Sequence, residues 1–292
     1  WKKKGSGKWI YFGFTLIQVA LYSFFYVYSV INGVRYSFTD WDGMSTTFHI
    51  VGFKNYIQLF TSDSVFYTAL KNNIIWIILT ICLTVLLALL LALVLNRSFR
   101  GRIVYRAIFY FPYMLSWIIV GIIWKWLYNP NFGFINQVLG MVGLDSLKGA
   151  YLSNTKMALY CVFIAALWQG LGQPMLYFLA GLQTLPNDIL EAAKIDGAGK
   201  ISLFFRVIVP MLKETFVIVL ATQIIASMKV YDIVYVMTDG GPANATQTLA
   251  TYMYNQTFTY SNLGVGSAIA TVMVLIMMVV IVPYVAFSTK DE

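Results

Sequence analysis

Residues 191–202 read EAAKIDGAGKIS, a polar island in an oily chain whose Gly199-Lys200 pair invites comparison with a nucleotide-binding loop. Such a loop needs Gly, four residues, then Gly-Lys-Ser/Thr, so that backbone N–H groups wrap the phosphates and a hydroxyl reaches the metal. Here Lys194 stands where the first Gly is required and Ile201 follows Lys200, with no strand-like run ahead. The stretch is not an ATP site. What surrounds it sets the fold class.

Of the 292 residues, 59% are hydrophobic and 11% charged, against about a quarter charged in soluble domains. A bilayer-spanning helix needs about 20 mostly apolar residues, and six runs supply them. Residues 9–34, 72–95, 157–182 and 263–289 carry no charge; 107–128 carries only Lys125, and 215–238 carries Lys229 and Asp232. The first run is too long and aromatic for a cleaved signal peptide. Cys82 and Cys161 both fall inside expected spans, which argues against a disulfide, and His49 is the only histidine, so no His-based metal site is expected.

The net charge of +8 would suggest nucleic acid in a soluble protein, but its distribution says otherwise. Thirteen Lys and Arg fall in the N-terminal tail (Lys2, Lys3, Lys4, Lys8), the 97–106 loop, the 194–213 segment and at Lys290. Only five, Arg35, Lys54, Lys71, Lys148 and Lys156, fall on the opposite side. By the positive-inside rule both termini are cytoplasmic in a multi-pass protein, with anionic lipid headgroups as contacts and no nucleic acid.

On the outer side, 35–71 is the longest loop, and its aromatic content predicts a small packed cap. Lys125, within Trp124-Lys125-Trp126, reads as a snorkelling residue of an aromatic belt. On the cytoplasmic side, 185–214 is longer than two spans need. Asp188 and Glu191 have capping-box spacing. Gly197 and Gly199 interrupt the helix they start, and Pro210 kinks or ends the next one. Helix, bend, helix is a docking shape, and the small Ala192, Ala193, Gly197 and Ala198 favour approach of another protein over lipid anchoring.

Glu191-Ala192-Ala193, Asp196-Gly197-Ala198, Phe204, Val207 and Pro210 together resemble the EAA motif of permease subunits in bacterial binding-protein-dependent ABC importers. Ser37-Phe38-Thr39-Asp40-Trp41, Val51-Gly52-Phe53-Lys54-Asn55-Tyr56, Lys229-Val230-Tyr231-Asp232 and Thr238-Asp239-Gly240-Gly241-Pro242 are similar to the MalF-like branch of carbohydrate importers. The maltose permease itself has extra N-terminal spans and a very large periplasmic domain; this sequence is similar to the shorter members. The resemblance implies an all-α membrane protein with six transmembrane helices and a cytoplasmic coupling helix, a type I ABC importer permease. It implies a tail, first span and outer loop over 1–65, a shared transmembrane domain over 66–288 with the EAA segment at 185–214, and a tail at 289–292.

The same resemblance implies a bacterial inner membrane location and the partners. These are a second homologous permease in a heterodimer, a separate ABC ATPase dimer, an extracytoplasmic solute-binding protein and a carbohydrate. No cofactor is expected in this chain; ATP and Mg²⁺ would sit on the ATPase. Glu191, Ala192, Ala193, Asp196, Gly197 and Ala198 would form the coupling contact. Glu191 would pair with the ATPase while also capping its helix, and Gly197 would make the bend.

A sugar path needs polar groups for hydroxyls and aromatic faces for the ring. Gln169, Gln173 and Tyr177 beside Trp168, and Gln223, Ser227 and Tyr231 beside Asp232, each recur at four-residue spacing, which puts each set on one helix face. Gly172 and Pro174 are expected to bend the fourth span where it lines the path. Polar groups of this kind also serve as interhelical hydrogen bonds, and Lys229 and Asp232, three apart, neutralise each other in the simplest reading. The competing classes are a secondary transporter of a small polar solute, which lacks intramembrane acids beyond Asp232, and an importer permease for a non-sugar such as glycerol phosphate. A membrane enzyme has no paired carboxylates, His cluster or nucleophile elbow to work with.

Overall fold

The computed structural model describes residues 6–288; Lys2, Lys3, Lys4, Lys290 and the 289–292 tail lie outside them. In chain order, the long α1 (Phe12–Tyr36) is followed by the short α2 (Lys54–Thr61) and the 33-residue α3 (Ser64–Asn96). α4 (Arg102–Met114) and α5 (Trp117–Leu127) meet at 96°. Then come α6 (Phe134–Met141), α7 (Ala158–Gly170) and α8 (Gly172–Thr184). α9 (Asn187–Ile195) and α10 (200–211) occupy the EAA region. α11 (Lys213–Met228) and α12 (Asp232–Thr238) meet at 41°, and α13 (Leu249–Tyr254) leads to α14 (Leu263–Ser288). No strand occurs among the described residues; one isolated bridge pairs Thr39 with Ile50.

Three helices, α1, α3 and α14, are long and apolar enough to cross a membrane, and counting each of three bent helix pairs as one span gives six. The chain is a multi-pass membrane protein. Two expected spans are corrected. Residues 107–128 do not form one helix: Pro112 sits in a tight 3₁₀ turn over Phe111–Met114, and Leu115 and Ser116 are extended. Ser116 restarts the helix by accepting, through Oγ, a hydrogen bond from the Ile118 N–H at 3.3 Å, a normal N-cap. Residues 215–238 are likewise interrupted, at 229–231. At the bend expected from Gly172 and Pro174, a single residue, Leu171, separates α7 from α8, and it keeps helical φ and ψ. Gly172 instead permits close packing, since a Cβ there would stand 3.0 Å from Tyr110 Cα.

By internal contacts the chain forms two compact units, Trp1–Asp63 with Met253–Val274, and Ser64–Tyr252 with Leu275–Glu292. In the first, the aromatic rings of the 36–56 region pack together, with Trp41 against Tyr36 at 4.5 Å and Phe38 against Phe53 at 5.3 Å. Buried Asn55 ties the loop down by donating to the carbonyls of Ser37 and Thr39, both at 2.9 Å. This is the packed cap that the aromatic content predicts. At its rim Asp42 accepts from Ser45 Oγ (2.6 Å) and from the backbone N–H groups of Ser45 and Met44 (2.8 Å each). These bonds, the Ser45 hydroxyl foremost, hold its carboxyl at about 2, below the usual 3.8.

The second unit has two apolar cores sharing α3. Trp76 of α3 packs with Phe163 and Val162 of α7, Val120 of α5 and Ile233 of α12. Further along α3, Val85, Ala88 and Leu89 pack with Met175 and Phe178 of α8 and Val219 of α11. Between these two sets of α3 positions come Thr80 and Thr84, buried and polar. They lie in a π turn, Thr80–Val85, a widened helical geometry that recurs at functional sites.

Candidate functional site

Where the two cores leave a gap, a cavity of about 430 Å³ opens in the second unit. Its hydroxyls and amides come from Thr80, Thr84, Gln173, Thr222, Gln223 and Ser227. Trp76, Tyr113 and Trp117 supply aromatic faces, and Lys229 and Asp232 its only charged groups. That combination suits a polyhydroxylated ligand: amides and hydroxyls exchange hydrogen bonds with its OH groups, and indole faces cover its C–H surface.

Both helix breaks border this cavity, and each is held by a side chain from another helix. In the first, the freed carbonyl of Leu115 accepts a hydrogen bond from Gln169 Nε2 at 2.6 Å. In the second, the carbonyl of Ser227 accepts from Asn73 Nδ2 at 2.9 Å, and that of Val230 from Thr248 Oγ1 at 2.9 Å. A broken helix at membrane depth leaves carbonyls unpaired, so such partners are required.

Of the eight path residues expected from the sequence, five line this cavity: Gln173, Gln223, Ser227, Tyr231 and Asp232. Tyr231 reaches it differently from expected. α11 ends at Met228, so Tyr231 is not a third turn of the Gln223–Ser227 face; it lies in the break and stacks on Tyr235 at 5.3 Å. Tyr177 is exposed and reaches the cavity only through the hydrogen bond its hydroxyl accepts from Gln173 Nε2 at 3.2 Å. Gln169 is buried, its N–H₂ committed to the Leu115 carbonyl, and it borders a neighbouring cavity of about 360 Å³ instead. Trp168 faces away and packs edge-on against Trp124 at 6.1 Å. Lys229 and Asp232 make no close ion pair with each other: Lys229 stands in the break and Asp232 begins α12. Lys125 lies 3.5 Å from the Val236 carbonyl near the end of α12, a basic group at a helix C-terminus.

Sequence reasoning missed the α3 contribution. Trp76, Thr80 and Thr84 recur at the four-residue spacing used for the other two helices, and that signal was available. It also missed the buried pair Asn72 and Asn73, whose amides bond the carbonyls of Ala245 and Gln247 and that of Ser227.

In the EAA region, α9 starts at Asn187 with Pro186 as its N-cap and no side-chain capping bond. The expected capping box is absent. Asp188 sits inside the first turn, where a negative charge complements the helix dipole, and Glu191 is exposed. The bend is as read: Gly197 has φ +85°, with Gly197 N–H bonded to the Lys194 carbonyl and Ala198 N–H to that of Ala193, a Schellman ending. Gly199 is extended, at φ −67° and ψ 166°. Ala192, Asp196 and Gly197 are exposed beside Glu191, with Ala193 and Ala198 half-buried beneath.

Known proteins place this architecture. The structure superposes on a permease chain of a bacterial ABC transporter that imports the acidic polysaccharide alginate, with TM-score 0.83 at 19% identity over 97% of this chain and 96% of that one. The multiple sugar-binding transport system permease MsmF of Streptococcus mutans is 32% identical over 97% of each chain. The ABC transporter permease protein PH1215 of Pyrococcus horikoshii is 36% identical over 96% of this chain and 95% of its own. Residues 84–289 match the binding-protein-dependent transport system inner membrane component family. The chain belongs to that family.

Proposed function

We propose that this chain is one of two permease subunits of an ATP-driven importer of neutral oligosaccharides, both its termini on the cytoplasmic side. The observation that carries the reading is the 430 Å³ cavity, whose amides, hydroxyls and indole faces match sugar chemistry and whose two charges, Lys229 and Asp232, sum to zero. A permease for a sugar system among its relatives supports the substrate class. A solved relative in complex with an alginate-loaded periplasmic protein supports delivery by a solute-binding protein.

ATP chemistry belongs to a separate ATPase dimer holding ATP and Mg²⁺, since residues 194–201 lack the phosphate-loop pattern. The exposed residues of α9 and its Gly197 turn form the coupling contact. Closure of the ATPase dimer would draw this segment inward, and the spans would switch the cavity between the two sides. Gly197→Glu should abolish co-purification of an ATPase, whereas a stable assembled transporter containing no ATPase contradicts the reading. In cells, Gln173→Leu, Gln223→Leu and Tyr231→Ala should each reduce sugar uptake about five-fold, the equivalent of about one hydrogen bond. Unchanged uptake kinetics in all three would remove the cavity from the path.

A further inference from the structure

We propose that Asn73 is a positioning residue linking the 239–248 loop to the wall of the transport cavity, an inference that rests on the importer reading. Asn73 is completely buried in α3. Its two amide ends serve two different segments. Nδ2 donates to the carbonyl of Ser227 at 2.9 Å, at the end of α11 where the span breaks. Oδ1 accepts from the Leu249 N–H at 2.8 Å, at the start of α13. One planar group therefore sets the distance between the break and the end of the loop.

Two neighbouring contacts make the linkage specific. Asn72 donates to the loop carbonyls of Ala245 and Gln247, at 3.0 and 2.8 Å, and so fixes the loop to the same turn of α3. Thr248, fully buried, donates from Oγ1 to the Val230 carbonyl within the break itself, at 2.9 Å. The break carries Lys229, Tyr231 and Asp232 into the cavity. A displacement of the loop by a docked binding protein must move Leu249 or break its bond, and either outcome reaches the cavity wall through Asn73.

The test uses the complete transporter in proteoliposomes: this chain, its second permease, the ATPase and the binding protein. The readout is the ratio of ATPase rate with sugar-loaded binding protein to the rate without it. Asn73→Leu preserves the approximate volume and removes both bonds. The ratio should fall by about two- to thirty-fold, the range expected for residues that carry coupling, with the assembled complex recovered in normal amount. Thr248→Val, which removes the parallel bond to Val230, should lower it in the same direction, and it decides the matter should Asn73→Leu not assemble. A wild-type ratio in the assembled Asn73→Leu complex, or in Thr248→Val where that stands in, overturns the proposal. A native complex with no stimulation by any binding protein would instead defeat the importer reading itself.

Discussion

At Asp42 three hydrogen bonds from Ser45 and Met44 favour the ionised carboxylate, so its folded pKa of about 2 lies below the usual 3.8. A depressed pKa contributes stability above the unfolded value; that contribution is lost as pH falls from 3.8 through about 2. Carbon NMR of labelled aspartate should find one carboxyl titrating near 2, and Ser45→Ala should move it upward. A midpoint near 3.8 in the unmodified protein would show that the turn does not form. Gly197 is a residue of a different kind. Its φ of +85° lies in the left-handed region, yet a Cβ there would meet nothing within 4 Å. Gly197→Ala should therefore cost only backbone strain, about 1–2 kcal/mol at the end of α9. Gly197→Asn should cost less, because Asn tolerates this conformation. Hydrogen exchange across 192–198 measures the difference, and equal protection in all three proteins would contradict the Schellman assignment.

Among the elements, α1, α3 and α14 are legible in the sequence because membrane spanning needs only length and the absence of charge. The breaks are not. Residues 229–231, Lys-Val-Tyr, contain neither Gly nor Pro, and the groups that hold the interruption come from Asn73, 154 residues from Ser227, and from Thr248. Local pattern carries no trace of such partners. The 96° bend after Met114 was half-readable, since Pro112 marks it, but the Gln169 bond that stabilises its far side spans 54 residues. For the same reason Gln169 reads from spacing as a path residue and is found holding a helix end. Gln223 and Ser227 were legible because one unbroken helix, α11, carries both, and Gln173 because Leu171 keeps helical angles at the junction of α7 and α8. Gln169→Leu would leave the half-buried Leu115 carbonyl without its partner while also removing the buried, unpartnered Gln169 Oε1, a net cost of about 1 kcal/mol. Thermal unfolding in detergent should show that loss for Gln169→Leu and a smaller one for Gln173→Leu, whose amide bonds only the exposed Tyr177. The reverse order would contradict the assigned roles.

For the whole molecule, the division of labour follows from where polarity sits. Apolar cores on either side of Thr80 and Thr84 make the helices of the second unit a stable frame. The buried amides hold two interruptions in that frame, and the interruptions face a cavity with sugar-like complementarity. The opening stretch, residues 191–202, runs from α9 through the Gly197 turn into α10 with Glu191, Ala192, Asp196 and Gly197 exposed, where, on the proposed function, ATP hydrolysis in another protein would be felt. The central claim, an ATP-driven oligosaccharide permease, is tested most directly by uptake into proteoliposomes holding the complete transporter, with ATP supplied on the ATPase side. The account predicts accumulation of a labelled neutral oligosaccharide that requires ATP, the binding protein and an intact Gln223. Uptake that proceeds without ATP, driven by an ion gradient alone, would contradict it.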